Sequence, residues 1–445
     1  MPNNSPAILK LARTFRKFVQ LESASGLVLL AALGVALIWA NSPWSGSYFE
    51  TLNREIGFRL GGFEASSSLH HFINDGLMAI FFFVVGLEIK REMVAGELAS
   101  FRQAALPIAA ALGGMVVPAL IYAAFNVGED SLKGWGIPMA TDIPFALGIL
   151  ALLGNRVPPS LKIFLMALAI IDDLGAVLVI AVFYSQDIGW TGLGQACIVF
   201  AALISFNRLR LQRPFWYLVP GVALWHLLQS SGVHGTIAGV LVAWTIPARS
   251  PLLESEFVAV ARRILDRFES SKGKEETPIL NHERVESVME LEDACEKVEP
   301  PLQRLIETLH PWTSFFILPL FALANAGVRI DPGLIGTLNN PAGLGILFGL
   351  VVGKPLGIFG TAQAMLAMGF PPLSGGVNWK HLLGAGMLGG IGFTMSIFIA
   401  GLAFGEGRQL DGAKLGIFLA SALAGILGWV WLRLLTRPGS PIPET

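Results

Sequence analysis

The sequence predicts an all-α polytopic membrane protein of about twelve transmembrane helices, and three observations predict it. Of its 445 residues, 53% are hydrophobic and only 14% are Asp, Glu, Lys or Arg, against about 25% charged in an average soluble domain; mean hydropathy is +0.62. Apolar runs long enough to cross about 30 Å of hydrocarbon recur along the whole chain. Basic residues gather in alternate loops between those runs. A net charge of −1 leaves no general basic field to hold nucleic acid. The two cysteines, Cys197 and Cys295, give neither a disulfide framework nor a metal-ligand spacing.

The runs lie near residues 22–40, 70–89, 104–125, 136–154, 162–184, 193–206, 215–230, 233–246, 310–327, 342–366, 382–404 and 414–432. The sixth to eighth fall short of the usual ~20 residues. Lys10, Arg13, Arg16 and Lys17 precede the first run, which reads as an uncleaved first helix rather than a secretory signal. Lys90, Arg91 and Arg102, then Arg156 and Lys162, Arg208, Arg210 and Arg213, Arg249, Arg262 and Arg263, and finally Arg433 and Arg437 occupy alternate loops. The intervening loops offer little beyond Lys133 and Arg329. By the positive-inside rule both termini are cytoplasmic, with lipid as the general partner.

Two loops stand out. Ile56 to Ala65, IGFRLGGFEA, alternates around Gly61-Gly62 and reads as a β-hairpin, whose edges could pair with a second subunit or simply lie at the surface. Residues 249–307 carry 14 acidic and 9 basic side chains, so 23 of the 63 charged residues sit in one cytoplasmic insert, expected to be partly helical or disordered.

Few charges fall at membrane depth: Asp75 and Glu88 in the second run, Asp142 in the fourth, Asp172 and Asp173 in the fifth, and Lys354 in the tenth. Insertion scales charge roughly 2.5 to 3.5 kcal/mol for a single charged residue at that depth, so each needs a partner or a function. Asp173 is the middle residue of Ile163–Phe183 and Lys354 of Ala342–Leu366, so an ion pair between the acid pair and the lysine is expected. Successive helical residues point about 100° apart. One aspartate can therefore meet Lys354 while the other lines a water-filled cavity.

Pro138 and Pro144 flank Thr141-Asp142 in the fourth run, which should kink or unwind over Ala140 to Ile143. Gly389-Gly-Ile-Gly-Phe-Thr-Met-Ser396 interrupts the eleventh at a comparable point. Broken spans at corresponding positions in two halves mark transporter binding sites, although kinks that only aid packing are common. Carboxylates, carbonyls and a hydroxyl suit a hard cation such as Na⁺ or Li⁺. Burial favours the neutral form of a carboxylic acid, so the same oxygens can hold H⁺ or Na⁺ in alternation, which is sufficient for antiport. A cation channel or a K⁺-selective exchanger remains open on residue types alone. Gly353-Lys354-Pro355 lacks the rest of a phosphate-binding loop, so neither an ATP-driven pump nor an enzyme is expected.

HFINDGLMAIFFFVVGLEIKRE (71–92), ATDIPFALG (140–148), KIFLMALAIIDDLGAV (162–177), SGVHGTIAGV (231–240), HPWTSFFILPLFALANAG (310–327), GKPLGI (353–358) and GIGFTMSIFIA (390–400) cover nearly all the runs, and together they resemble the NhaA-type Na⁺/H⁺ antiporters. That resemblance implies inverted repeats with discontinuous, crossing fourth and eleventh helices, and electrogenic Na⁺ or Li⁺ exchange for protons in pH and sodium homeostasis, with no cofactor. It implies that Asp172 and Asp173 bind Na⁺ and carry protons, and that Thr141, Asp142 and Lys354 support them. Asp75 would lie in the ion path, while Glu88, Glu92, His234 and, loosely, Glu307 would serve pH response. It fits a homodimer through the hairpin at 54–66. The chain would divide into an interface region at 1–100, a first core repeat at 101–190, spans six to eight at 191–246, the insert at 247–309, span nine at 310–330 and a second core repeat at 340–435. Pro144, where the family motif has Ala, and the long insert before His310 depart from the pattern.

Overall fold

The computed structural model describes residues 22–435, except 61–62, 186–187, 251, 253, 271–281, 372 and 374–376. The basic residues before the first run, Arg437 and the Gly61-Gly62 turn therefore lie outside the described residues. Helices dominate. Six are long and apolar enough to cross a membrane, and up to nine if each bent helix pair is one span. The remaining runs fold as shorter helices: Phe215–Ser230, Thr236–Thr245, and Pro301–Trp312 leading to Leu318–Asn325.

The first helix, Glu22–Ala40, turns through 113° into Ser45–Asn53, and the hairpin follows. Its strands Glu55–Leu60 and Phe63–Ser68 pair antiparallel, with Leu60 opposite Phe63, and Leu69 N–H donates to Arg54 O (3.0 Å) to close the base. The second helix runs from Leu69 to Ala95 through a π-turn at Phe72–Leu77. It packs against the ten-residue Thr236–Thr245 at backbone distance, because Gly86 and Gly239 leave room where a Cβ would strike Ala243 and the backbone of Ala79. Lys90 Nζ fixes the contact by donating to the terminal carbonyls of Trp244 and Ile246 (2.5 and 2.6 Å).

The third helix, Phe101–Phe125, and the tenth, Pro341–Ala367, cross just as closely. Any Cβ on Gly113 or Gly357 would clash with the other's backbone, and one on Gly114 would touch the Lys354 stem at 3.7 Å. The glycines thus bring Lys354 within reach of the fifth helix, Pro159–Phe183, which packs on the third. One large apolar cluster joins these helices with the fourth, eleventh and twelfth; a smaller one gathers Leu87, Leu203, Tyr217, Leu224 and Ile306 around the sixth to eighth.

Two boundaries differ from the sequence reading. The eighth helix starts at Thr236 rather than 233, since Gly232 takes a left-handed φ of 81° and the chain stays non-helical through Val233 and His234. The ninth starts at Pro301, within the stretch assigned to the charged insert. Leu302 and Ile306 are buried one turn apart, and Arg304 and Glu307 lie on the other face, so high charge density concealed an amphipathic helix. The insert itself contains helices Glu254–Ser270 and His282–Val298, joined by the Arg267–Glu290 pair (3.0 Å) over buried Ile264 and Ala294.

Candidate ion-binding site

Both interrupted helices stop where the sequence breaks them. In the fourth, a short 3₁₀ turn at Ile137–Met139 gives way to extended Ala140–Asp142, and the helix resumes as Ile143–Leu152 at 45°. Pro144 does not kink a helix: it sits in the first turn of the second half, where the missing N–H has no partner to lose. In the eleventh, Trp379–Gly389 and Phe393–Phe404 are separated by Gly390-Ile391-Gly392, also at 45°.

The two breaks are stitched to each other. Asp142 N–H donates to Ile391 O (2.6 Å), and Ser396 Oγ donates to Ile137 O (2.7 Å). The Asp142 carboxylate caps both resumed helices, accepting from Phe145 N–H (3.1 Å) with one oxygen and from Thr394 N–H (3.0 Å) and Thr394 Oγ1 with the other. Two helix N-termini meet there, and the acid offsets their partial positive charge. Thr141 Oγ1 lies 2.8 Å from Asp172 Oδ2 and 2.9 Å from Gly389 O, and its one proton can serve only one of them.

Asp172 and Asp173 occupy the middle of the fifth helix, 0% and 1% exposed. Asp172 Oδ2 forms an ion pair with Lys354 Nζ, which is itself fully buried. Lys354 directly follows a π-turn at Gly349–Gly353; such a turn inserts one residue and resets the helix phase. Asp173 points elsewhere, into a cavity of about 50 Å³ shared with Glu88, Thr141, Asp142, His310, Thr313, Ser314 and Thr394. Oδ1 of Asp172 and Oδ1 of Asp173 are buried without a hydrogen-bond partner. An orphaned buried carboxylate oxygen is what a hard cation or a proton would satisfy.

The remaining predicted residues separate. Asp75, on the π-turn of the second helix, accepts from Gln229 Nε2 (2.9 Å), lies 2.9 Å from His71 Nε2 and 3.6 Å from His234 Nε2, and lines a second cavity of about 660 Å³. His234 thus belongs with Asp75. Glu88 meets His310 Nδ1 (3.0 Å) at the smaller cavity. Glu92 accepts from Arg91 (3.1 Å) and from Glu97 N–H (3.1 Å), and Glu307 from Gln303 (2.7 Å), so neither joins Glu88. On the wall of the larger cavity, Phe398 packs against Phe82, Phe321 and His234 at ring-centroid distances of 5.6, 6.1 and 5.4 Å. Thr394, Ser396 and His310 escaped sequence reasoning, although hydroxyls just after a Gly-x-Gly interruption are a helix-restart signal.

The family model for Na⁺/H⁺ antiporter 1 matches residues 16–432. The chain belongs to that antiporter family. It is 49% identical to the Na(+)/H(+) antiporter NhaA of Oleidesulfovibrio alaskensis, over 99% of this chain and 98% of that one. It is 47% identical to Na(+)/H(+) antiporter NhaA 1 of Saccharophagus degradans, over 98% and 94%. Among solved structures, the sodium proton antiporter MjNhaP1 of Methanocaldococcus jannaschii aligns with a TM-score of 0.47 at 13% identity, over 96% of this chain and all of that one. Membership makes this a multi-pass ion transporter.

Proposed function

We propose that the protein exchanges Na⁺ or Li⁺ for protons at Asp172 and Asp173, through about twelve spans in which the fourth and eleventh are discontinuous and cross. The observation that carries this reading is the pair of orphaned buried oxygens, Asp172 Oδ1 and Asp173 Oδ1, beside the Asp172–Lys354 ion pair. With the site empty of cation, Lys354 holds Asp172 and Asp173 takes a proton. Na⁺ replaces that proton and draws Asp172 away from the lysine, whose own proton then leaves. Two protons exchanged for one Na⁺ move net charge, so membrane potential drives the cycle at about 2.3 kcal/mol per charge per 100 mV.

The positive-inside bias supports an inner membrane with cytoplasmic termini, so that Glu88 and His310 flank the cytoplasmic path and Asp75 the outer one. Glu88, through His310, and His234, through Asp75, carry the pH response on this reading, one on each path; Glu92 and Glu307 have the weaker claim. A channel needs a continuous path, whereas Asp75 and Asp173 line separate cavities that share no residue. The hairpin edge would pair with a second copy. Deleting residues 54–66 should then shift the purified protein from dimer to monomer mass in light scattering, and an unchanged mass would refute that contact.

The functional test is exchange driven by a pH gradient in membrane vesicles with Na⁺, Li⁺ or K⁺. We expect Na⁺ and Li⁺ to dissipate the gradient and Asp173→Asn to lose at least ~100-fold in rate, the scale of removing a directly bonding charged group. Wild-type rates in the mutant would sink the site assignment, and exchange of K⁺ alone would sink the ion assignment.

A further inference from the structure

The cycle above leaves one buried charge unused. Lys414 lies in the twelfth helix, Arg408–Leu435, and is 7% exposed. It makes no hydrogen bond or ion pair with any described residue, yet it lines the 660 Å³ cavity on the Asp75 side. A lysine near a helix end ordinarily snorkels to the headgroups. This one instead shares the cavity wall with His70 and Asn325, which come from the second and ninth helices. The charged and titratable groups facing it are Glu406 and His70 on that wall, Asp411 three residues earlier on its own helix, and His71, Asp75 and His234 across the space. His70 is already engaged, 3.2 Å from Asn325 Oδ1, and the two asparagines Asn74 and Asn325 bond each other (2.6 Å). Nothing in the wall neutralises the ammonium by contact.

We propose that the charged form of Lys414 weakens cation loading from the outer face of the antiporter. The proposal rests on the exchange reading above and names a residue that sets the affinity on one side. The physical step is Coulombic. A space of 660 Å³ is about 11 Å across if spherical. When alternating access opens Asp173 to this space, a unit charge at roughly 10 Å, with an effective dielectric between about 80 and about 20, changes a cation's binding constant by about 2-fold to about 15-fold. Such a charge cannot alter the direction dictated by the gradients. It raises the outer Na⁺ concentration at which released ion reloads the site, so export continues against saltier surroundings. Protons are repelled as well, and two of them exchange for each Na⁺, so the effect on Na⁺ stands alone only at alkaline pH, where proton competition is weak. The cavity on the Glu88 side does not contain Lys414, so inner-face affinity is left unchanged.

The test compares right-side-out with everted vesicles at alkaline pH, reading the Na⁺ KM at the outer and inner faces in turn. Lys414→Met and Lys414→Gln should lower the outer KM by about 2-fold to about 15-fold and leave the inner KM unchanged, while Lys414→Arg should resemble the wild type. A cysteine at position 414, with Cys197→Ser and Cys295→Ser, should regain the wild-type outer KM when a positively charged thiol reagent is attached, but not a neutral one. An unchanged outer KM in the Met and Gln variants overturns the proposal, as does an equal change on both faces. Absence of Na⁺/H⁺ exchange in the wild type would instead defeat the exchange reading itself.

Discussion

Lys354 and Asp172 illustrate what a buried charge does at the scale of single residues. Removing one partner of a buried pair leaves an uncompensated charge and costs about 3 to 5 kcal/mol, whereas replacing both with neutral groups is often neutral or stabilising. Lys354→Ala should therefore lower the Tm of the detergent-solubilised protein at alkaline pH, and Lys354→Met with Asp172→Asn should restore most of it while exchange remains lost. Equal Tm in Lys354→Ala and wild type would mean that the pair does not hold the site together. Helical geometry made the division of labour legible beforehand: adjacent aspartates must diverge by about 100°, and they do, Asp172 to the lysine and Asp173 to the cavity. Which of the two met Lys354 was not legible from spacing. It depends on the phase of the tenth helix through the π-turn at Gly349–Gly353, where Gly349 and Gly353 pack against Pro138 and Pro118.

At the scale of elements, the breaks in the fourth and eleventh helices were readable because Pro and Gly act locally. Their mutual capping was not, because Asp142 and Thr394 are 252 residues apart. The charged stretch before His310 misled for the opposite reason. Its composition resembles a solvated linker, and only the placement of Leu302 and Ile306 on one face reveals a helix. Glycine spacing on the tenth helix yields a direct prediction. A Cβ on Gly357 would meet the Gly113 carbonyl, whereas one on Gly360 meets nothing within 4 Å. Gly357→Ala should destabilise by about 1 to 3 kcal/mol through overpacking and displace Lys354, reducing exchange. Gly360→Ala, one turn on, should change neither. Indistinguishable unfolding of the two variants would show that the third and tenth helices can separate without loss.

At the scale of the whole molecule, the larger and the smaller cavity share no lining residue, and Asp173 lines only the smaller of them. Residue types were enough to predict a multi-pass helical protein with acids in the middle of an apolar helix. The separation of His234 from Glu88 into different cavities depends on which helices pack together, and no local signal carries that. On the proposed reading, alternating access must transfer Asp173 from one cavity to the other, and the chemistry at the site must be competition between H⁺ and Na⁺. The most direct measurement is proton release on adding Na⁺ or Li⁺ to the purified protein in weakly buffered solution. The account predicts stoichiometric release, two protons per cation by the proposed cycle, with an apparent Na⁺ affinity that rises with pH and with no release in Asp173→Asn. Cation binding without proton release, or the same release in Asp173→Asn, would contradict it.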